Sequence, residues 1–142
     1  MKYDALKLEN QLCFPLYASA KEVVRLYKPF LDEIGLTYTQ YIAMLALWER
    51  DGLSVKELGE QLYLDSGTLT PLLKKMESQG LVRRSRNARD ERSVTITLSE
   101  QGKALRERAV SIPERLGECL PLTAEESKPL YRLLYKVLGG IR

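Results

Sequence analysis

The chain contains two cysteines, Cys13 and Cys119, and no histidine, and these counts restrict its possible chemistry. A zinc site of the usual types needs three or four Cys or His ligands, and a Ser-His-Asp triad or a histidine base needs histidine. No Walker A sequence and no glycine-rich dinucleotide fingerprint occurs. We therefore expect no metal site, no cofactor and no conventional enzyme, and the candidate chemistry that remains is that of a thiol.

Cys13 lies in the segment LENQLCFPLY, between two apolar residues. One interpretation is an inert, buried cysteine. The other depends on Pro15: if a fresh helical turn begins there, the helix N-terminus favours a thiolate at Cys13. Such a thiolate would suit peroxide oxidation to sulfenic acid. Tyrosines of the N-terminal helical segments could donate hydrogen bonds to the sulfur anion: Tyr17, Tyr27, Tyr38 and Tyr41.

Binding of nucleic acid is the second candidate chemistry, and it is located in residues 54–98. Two short helical patterns, SVKELGEQL and DSGTLTPLLKKMESQG, precede the hairpin pattern LVRRSRNARDERSVTITL. This order predicts a winged helix-turn-helix, in which one helix enters the major groove and a β-wing reaches the flanking DNA. Residues 74–92 include seven basic and three acidic residues, so they carry +4 while the rest of the chain carries −1. The cluster indicates phosphate binding, and a solvated charged face is the alternative.

The second helical pattern offers hydroxyl groups for base edges and amines for phosphates. Ser66, Thr68 and Thr70 fall in its first turns, where hydroxyls and methyl groups can meet bases. Plain N-capping is the alternative role of Ser66 and Thr68. Lys74 and Lys75 lie farther along, where we expect them to contact phosphate.

The hairpin adds candidate DNA contacts of its own. Arg83, Arg84 and Arg86 lie on its first strand, and Asp90 and Arg92 lie two residues apart in the turn region. An acidic side chain there can hold an arginine in one rotamer, ready for a narrow minor groove. The alternative is a surface ion pair that contributes under about 1 kcal/mol.

Apolar periodicity and capping residues predict the elements that position these groups. The first predicted helix spans residues 6–34 and is closed by Gly35, and the second spans residues 39–51, is capped by Thr37 or Thr39 and is closed by Gly52. The third spans residues 55–62 with a Ser54–Glu57 capping box, and the fourth runs from Asp65 or Ser66 to Gly80. A fifth helix is capped by Ser99 and weakens near Pro113; after a break at 117–121, the last helix runs from a Thr123–Glu126 capping box to Gly139 and Gly140. Predicted strands are 82–86 and 93–98.

We therefore predict one mainly α domain over residues 1–142 with an α+β wing. Residues 37–100 form the winged helix-turn-helix lobe, and residues 6–34 and 103–142 form a helical dimerisation region. A homodimer would place two recognition helices about 34 Å apart, which fits a palindromic operator in double-stranded DNA. The charged N-terminus and the shortness of every apolar run predict a cytoplasmic protein with no membrane segment.

Several longer strings resemble the MarR family of winged-helix repressors, and closely its organic-hydroperoxide-sensing, OhrR-type branch. They are LENQLCFPLYAS, LTYTQYIAMLALWE, LGEQLYLDSGTLTPLLKKMESQGLVRR and DERSVTITL. The resemblance extends from about Leu8 to Gly102 and is weaker beyond. Together, LCFPLY and LDSGTLTPLLK are specific to this branch.

The resemblance implies that Cys13 reacts with organic hydroperoxide and that Tyr27 and Tyr38 hydrogen-bond its sulfur from the partner subunit, with Tyr17 nearby. Oxidation would shift the winged domains and release the DNA, which is expected to control a thiol peroxidase gene. In one subtype a small thiol caps the oxidised cysteine. In the other a second cysteine of the partner subunit closes a disulfide, and Cys119 is placed for this role; an incidental core cysteine is the alternative.

Three functions remain open at this point. The leading one is a dimeric repressor that releases its operator when Cys13 is oxidised. A second is a repressor of the same family that responds to a phenolic or other small ligand. A third is a cysteine-based peroxidase, which two cysteines permit, although the basic residues cluster on the wing rather than beside Cys13.

Overall fold

The computed structural model describes residues 1–87 and 90–141, and the side chains of residues 87 and 90–92 lie outside this description. Its elements are α1 (Cys13–Asp32), α2 (Tyr38–Glu49), β1 (Leu53–Ser54), α3 (Val55–Leu62), α4 (Ser66–Ser78), β2 (Val82–Asn87), β3 (Asp90–Leu98), α5 (Glu100–Ala109), α6 (Ile112–Cys119) and α7 (Ala124–Ile141). The predicted mainly α fold with a β-wing is confirmed.

Side-chain caps fix where most helices begin, because they satisfy backbone N–H groups that lack a partner within the helix. Thr37, and not Thr39, caps α2 in a capping box with Gln40. The predicted boxes are present at α3 (Ser54 with Glu57) and at α7 (Thr123 with Glu126), and Asp65 and Ser99 cap α4 and α5. These starts follow from short-range sequence patterns alone.

A single hydrophobic core holds the DNA-binding elements together. Its fully buried members include Met44 and Leu47 of α2, Leu58 of α3, Leu69, Leu73 and Met76 of α4, and Ile96 of β3, and α1 and α6 contribute Leu31 and Ile112. Each such side chain contributes about 1.5–3 kcal/mol by leaving water. The positions of α3 and α4 are therefore fixed by the core, and their polar faces are left for DNA.

The sheet has three antiparallel strands in the order β1-β3-β2. β2 pairs with β3 from Val82 opposite Leu98 to Arg86 opposite Val94, with an irregularity between Arg86 and Asn87. β1 pairs Leu53 with Ile96 and was not predicted, because two residues are too few to show a period. Both wing strands also extend farther toward the tip than predicted.

Two long-range hydrogen bonds connect α2 and the residues just after it to the end of β3 and the start of α5. The Trp48 indole Nε1 donates to the Gly102 carbonyl at 2.9 Å, and the Leu98 N–H donates to Asp51 Oδ1 at 2.8 Å. The end of α2, the end of β3 and the start of α5 therefore form one connected base under the wing.

The turn between α3 and α4 is tight because the chain bends back on Gly59. A Cβ at Gly59 would lie 2.7 Å from the Leu64 carbonyl oxygen, so any residue with a side chain at this position would force the backbone to shift. Tyr63 closes α3 in the left-handed region with φ 57°, which is uncommon for a residue with a side chain. This geometry sets the angle between α3 and α4.

The predicted helix bounds need correction at several places. Residues 4–6 and 8–10 form 3₁₀ turns, so the first helix begins at Cys13 rather than at residue 6. The fifth helix ends at Ala109, and α6 begins anew at Ile112 with Pro113 in its first turn, a position that proline tolerates. α6 runs through Gly117, and α7 runs through the consecutive Gly139 and Gly140, since each glycine weakens a helix by only about 1 kcal/mol.

The chain divides into two compact units, Met1–Ile112 and Pro113–Arg142. The first unit contains the winged helix and α1. Within the second unit, α7 exposes a series of large apolar side chains: Leu130, Tyr131, Leu133, Leu134, Tyr135, Val137 and Ile141. In the part of the chain that the structure describes, no helix combines the length and the apolar character needed to cross a membrane.

Candidate functional site

Cys13 is the first residue of α1, and its side chain is exposed. The preceding Leu12 makes no side-chain cap, so the first N–H groups of the helix are left without a capping acceptor. Uncapped N–H groups at a helix N-terminus attract negatively charged groups in general. In the single chain, Cys13 is therefore an exposed residue at a helix start and not part of the hydrophobic core, and the reactivity of its thiol stays a prediction.

The segment before Cys13 is held by its own side chains. The Gln11 amide donates to the carbonyls of Ala5 and Lys7 at 2.7 and 2.8 Å, and the Asn10 amide donates to the Asp4 carbonyl at 2.7 Å. These bonds favour two short turns over a continuous helix. They therefore place the helix start, with its unsatisfied N–H groups, at Cys13.

Three tyrosines cluster where α1 packs on the start of α2. The ring centroid of Tyr27 lies 4.9 Å from that of Tyr38 and 5.6 Å from that of Tyr41. Burial raises the pKa of Tyr27 to about 12, with smaller contributions from Tyr38 and Tyr41, and burial also raises the pKa of each neighbour. The three phenols are therefore neutral hydrogen-bond donors at physiological pH.

Within one protomer the tyrosine cluster is far from Cys13. Tyr27 follows Cys13 by 14 residues on the same helix, which is about 21 Å along the axis at about 1.5 Å per residue. Tyr17, one turn after Cys13, has an exposed ring with the Lys21 ammonium 5.6 Å from its centroid. One chain thus brings Tyr27 and Tyr38 together, and it does not bring them to its own Cys13.

Cys119 is the last residue of α6, in the second unit. Its thiol is exposed and bonds weakly to the Arg115 carbonyl, with Sγ 3.5 Å from the oxygen. The interpretation of Cys119 as an incidental core residue does not agree with this exposure. Both cysteines are free thiols.

The recognition helix α4 presents the predicted polar residues on its outer face. Ser66, Thr68, Lys74 and Lys75 are exposed, and Thr70 is half-buried. The N-cap is Asp65, whose Oδ1 accepts the Thr68 N–H at 2.7 Å. The Thr68 N–H also lowers the pKa of Asp65. Since Asp65 caps the helix, Ser66 and Thr68 are not needed as caps.

On the wing, the three arginines differ in their surroundings. Arg83 and Arg86 are exposed, whereas Arg84 is half-buried. The Arg84 N–H donates to Glu77 Oε2 at 2.9 Å, and its guanidinium lies 3.9 Å from the same carboxylate. Arg84 thus braces the base of the wing against the last turn of α4. The predicted DNA contacts Asp90 and Arg92 fall outside the described side chains, and Arg89 falls outside the described residues.

A cavity of about 410 Å³ separates the recognition helix from the wing, and sequence reasoning missed one of its cations. Ser66, Thr70 and Arg84 line it together with Lys56. Lys56 is an exposed residue of the first turn of α3, two residues after the Ser54 cap. A lysine in the first turn of a capped helix is a weak signal by itself, but its place beside α4 makes it a further candidate phosphate contact. Among the described residues, no group of three or more His, Cys, Asp and Glu side chains could hold a metal.

The fold, the exposed polar face of α4 and the basic wing define a winged helix-turn-helix protein of the DNA-binding class. Residues 25–108 match the protein family described as "Transcriptional regulator SarA/Rot". The chain is 55% identical to the organic hydroperoxide resistance transcriptional regulator of Bacillus subtilis, over 96% of this chain and 93% of that protein.

Solved structures agree with this result. The reduced regulator AbfR bound to DNA is 34% identical, with a TM-score of 0.81 over 100% of this chain and 99% of that chain. AbfR in its disulfide form is also 34% identical, with a TM-score of 0.69 over 99% and 96%. A point mutant of MarR from E. coli, complexed with operator DNA, is 27% identical, with a TM-score of 0.74 over 87% and 90%.

The chain therefore belongs to the MarR family of winged-helix transcriptional regulators, within the branch of the organic hydroperoxide resistance regulator. The resemblance inferred from the sequence strings is confirmed, and so is the fold class that it implied.

Proposed function

We propose that this protein is a homodimeric, DNA-binding repressor that senses organic hydroperoxides through Cys13 and releases its operator when Cys13 is oxidised. The observation that carries the proposal is the place of Cys13: an exposed thiol at the uncapped start of α1, in a chain whose other functional surface is a winged helix. The 55% identical relative is named for organic hydroperoxide resistance and transcription regulation, which supports it.

The chemical step is a displacement on the peroxide. The Cys13 thiolate attacks one peroxide oxygen, the O–O bond breaks, and the sulfur becomes a sulfenic acid while the alkoxide takes a proton and leaves as an alcohol. The sulfur is oxidised by two electrons, and the peroxide is reduced. The helix N-terminus supports this step because it stabilises the thiolate that attacks.

The tyrosines act from the second subunit. Because about 21 Å of helix separates Tyr27 from Cys13 in one protomer, only another copy of the chain can bring the cluster to the sulfur. Tyr27 and Tyr38 of the partner subunit then donate hydrogen bonds to the Cys13 sulfur, with Tyr17 nearby. The exposed apolar residues of the first half of α1, such as Phe14 and Leu16, supply a surface for this association.

Cys119 is proposed as the resolving residue. Its thiol attacks the sulfenic sulfur of the partner subunit's Cys13, a disulfide forms and water leaves. Its exposure at the end of α6 supports this role. A small cellular thiol could cap Cys13 by the same reaction. Mass spectrometry of the oxidised protein distinguishes the two products.

DNA is held by α4 and the wing. Ser66, Thr68 and Thr70 are placed for base edges, and Lys74 and Lys75 for phosphates. Arg83, Arg86, Asp90 and Arg92 are assigned to the flanking DNA. Arg84 is assigned mainly to bracing the wing, because it faces Glu77.

Operator binding by the Cys13→Ser variant tests the proposal. We expect the variant to bind the operator as wild type does and to stay bound when tert-butyl hydroperoxide is added, while wild type and a Cys119→Ala control both respond. Release of the Cys13→Ser variant would refute thiol sensing. It would favour a small-ligand regulator, for which a cavity of about 380 Å³ beside Lys21, Val24 and Tyr38 is the candidate site.

We propose further that the protein is not an enzyme. A sensor consumes about one hydroperoxide per Cys13, because its oxidised form persists until a reductant acts. A dithiol reduces both kinds of protein, so the assay compares steady-state hydroperoxide consumption with the rate of the first Cys13 oxidation: a cysteine peroxidase sustains about that first rate, whereas a sensor falls to the slow rate of its chemical reduction. Hydroperoxide consumption continuing at constant rate past stoichiometry would therefore contradict the sensor and support the peroxidase.

A further inference from the structure

We propose that the hydrogen bond between Gln40 and Gln79 couples the tyrosine cluster to the recognition helix, so that these two residues position α4 in response to Cys13. This inference rests on the proposed thiol switch. Tyr38 and Gln40 both lie in the first turn of α2, and Gln79 is the C-cap residue of α4. The pair is a direct side-chain link between the turn that carries Tyr38 and the end of α4.

Gln40 is buried to 1% exposure and is the one polar side chain in the buried set of the described residues. Its Oε1 accepts the Thr37 N–H at 3.0 Å, which completes the capping box of α2. Its Nε2 donates to Gln79 Oε1 at 3.2 Å. Since Oε1 is committed to the cap, the orientation of the amide is fixed, and Nε2 is directed at α4.

A buried amide without its partner is unfavourable, so the two helices resist separation at this point. A displacement of the first turn of α2 must therefore carry Gln79 with it or break the bond. Either event changes the last turn of α4, where the Gln79 N–H donates to the Lys75 carbonyl at 3.0 Å. Lys75 is one of the proposed phosphate contacts.

The same turn also holds the wing. Glu77 lies two residues before Gln79 and accepts the Arg84 N–H at the base of β2. A connected path thus runs along the backbone of the first turn of α2 from Tyr38 to Gln40, across the hydrogen bond to Gln79, and along the last turn of α4 to Glu77, which accepts the Arg84 N–H. A shift that begins at the tyrosines reaches both DNA-contacting elements through one helix end.

The test measures operator affinity before and after oxidation by tert-butyl hydroperoxide, with the extent of Cys13 oxidation checked by intact mass. Gln79 is exposed, so Gln79→Ala should fold normally. Ser78→Ala is the matched control, since the Ser78 hydroxyl bonds only locally, to the Lys75 carbonyl at 2.7 Å. We expect equal oxidation in all proteins, a ratio of oxidised to reduced Kd at least about threefold smaller in Gln79→Ala, and an unchanged ratio in the control.

A charge series makes the test specific to the hydrogen bond. In Gln79→Glu, the new carboxylate still accepts a hydrogen bond from the Gln40 amide. In Gln40→Glu, the new carboxylate still accepts from the Thr37 N–H, and the Gln79 amide can rotate to donate to its other oxygen. Each single variant should therefore keep the wild-type ratio of oxidised to reduced Kd within about twofold. The double variant places two carboxylates together without a hydrogen bond between them, so its ratio should fall as in Gln79→Ala.

Equal ratios in wild type, Gln79→Ala and the double variant would overturn the coupling role. That outcome is distinct from failure of the proposed function, in which wild type itself would keep its operator after hydroperoxide treatment.

Discussion

The DNA-binding region and the thiol region of this chain differ in how much of each is complete within one protomer. In the winged helix, Leu58, Leu69 and Ile96 are fully buried, and the helix starts are capped by neighbouring residues. Around Cys13, the residues Leu12 and Phe14 are exposed, and Tyr27, which is assigned to the sulfur together with Tyr38, lies about 21 Å away along α1. A single chain builds a complete winged-helix lobe, whereas the proposed sensing site needs two chains.

The largest difference between the two regions should appear when an apolar side chain is removed from each. Leu73→Ala removes a fully buried side chain of α4 and should lower the free energy of unfolding by about 2–5 kcal/mol, at any protein concentration. Leu16→Ala changes an exposed residue of α1, so its effect should appear only as weaker dimerisation and should depend on concentration. Urea unfolding at several protein concentrations separates the two. Concentration-independent losses of equal size would contradict the comparison.

Salt dependence of operator binding distinguishes the basic residues of the two regions. Lys75→Ala removes one proposed phosphate contact per subunit, so the slope of log K against log salt should become shallower by about 2 for a dimer. Lys28→Ala, on α1, removes a cation that pairs with Asp32 at 3.2 Å and should leave the slope unchanged. Fluorescence anisotropy over a salt series measures both. A shallower slope in Lys28→Ala would extend the DNA surface to α1.

Removal of the N-cap of α2 should have a smaller effect on stability than removal of a core side chain. Thr37→Ala removes the cap of α2 and should cost about 1 kcal/mol of stability. Thr39→Ala is the control, because Thr39 is exposed and does not cap the helix, and it should change stability by less than about 0.5 kcal/mol. Thermal unfolding of the two variants shows which threonine caps α2. A reversed order would contradict the structure at this helix start.

The last expected effect, which is absent at neutral pH, is the pH dependence that arises from Tyr27. Its pKa is about 12 in the folded protein and 10.0 ordinarily, so the folded state holds the phenolic proton more strongly. The corresponding stability is fully present below pH 10 and is lost as the pH rises toward 12. Unfolding midpoints measured across this range should fall less steeply in Tyr27→Phe than in wild type.

Local patterns in the sequence predicted the parts of the fold that short-range chemistry determines. The Ser54–Glu57 and Thr123–Glu126 boxes were predicted from residues three apart, and α3 was predicted with its observed bounds. The start of α1 was predicted incorrectly, because residues 6–12 have helical apolar spacing while the Gln11 amide stabilises separate turns instead. Spacing alone does not show which backbone groups a side chain will satisfy.

The candidate site was predicted in its residue types and only partly in its geometry. Cys13 beside Pro15 signalled a helix start, and α1 does begin at Cys13. The link from Gln40 to Gln79 joins residues 39 apart, and the bracing of Arg84 depends on Glu77 of a different element. Such contacts arise from how helices pack, so no local pattern predicts them. The roles assigned to Cys13, Tyr27 and Tyr38 stay predictions until they are tested.

Mixed dimers test most directly the claim that the sensing site is shared between subunits. One subunit carries Cys13→Ser, and the other carries Tyr27→Phe and Tyr38→Phe; the rate of thiol loss with tert-butyl hydroperoxide is followed by mass spectrometry. In a shared site, the remaining Cys13 meets the intact tyrosines of its partner, so we expect the one Cys13 of the dimer to be oxidised at the wild-type rate. The Phe-variant homodimer should react more slowly. A mixed dimer that reacts at the slow rate of that homodimer, or a homodimer as fast as wild type, would contradict the shared site.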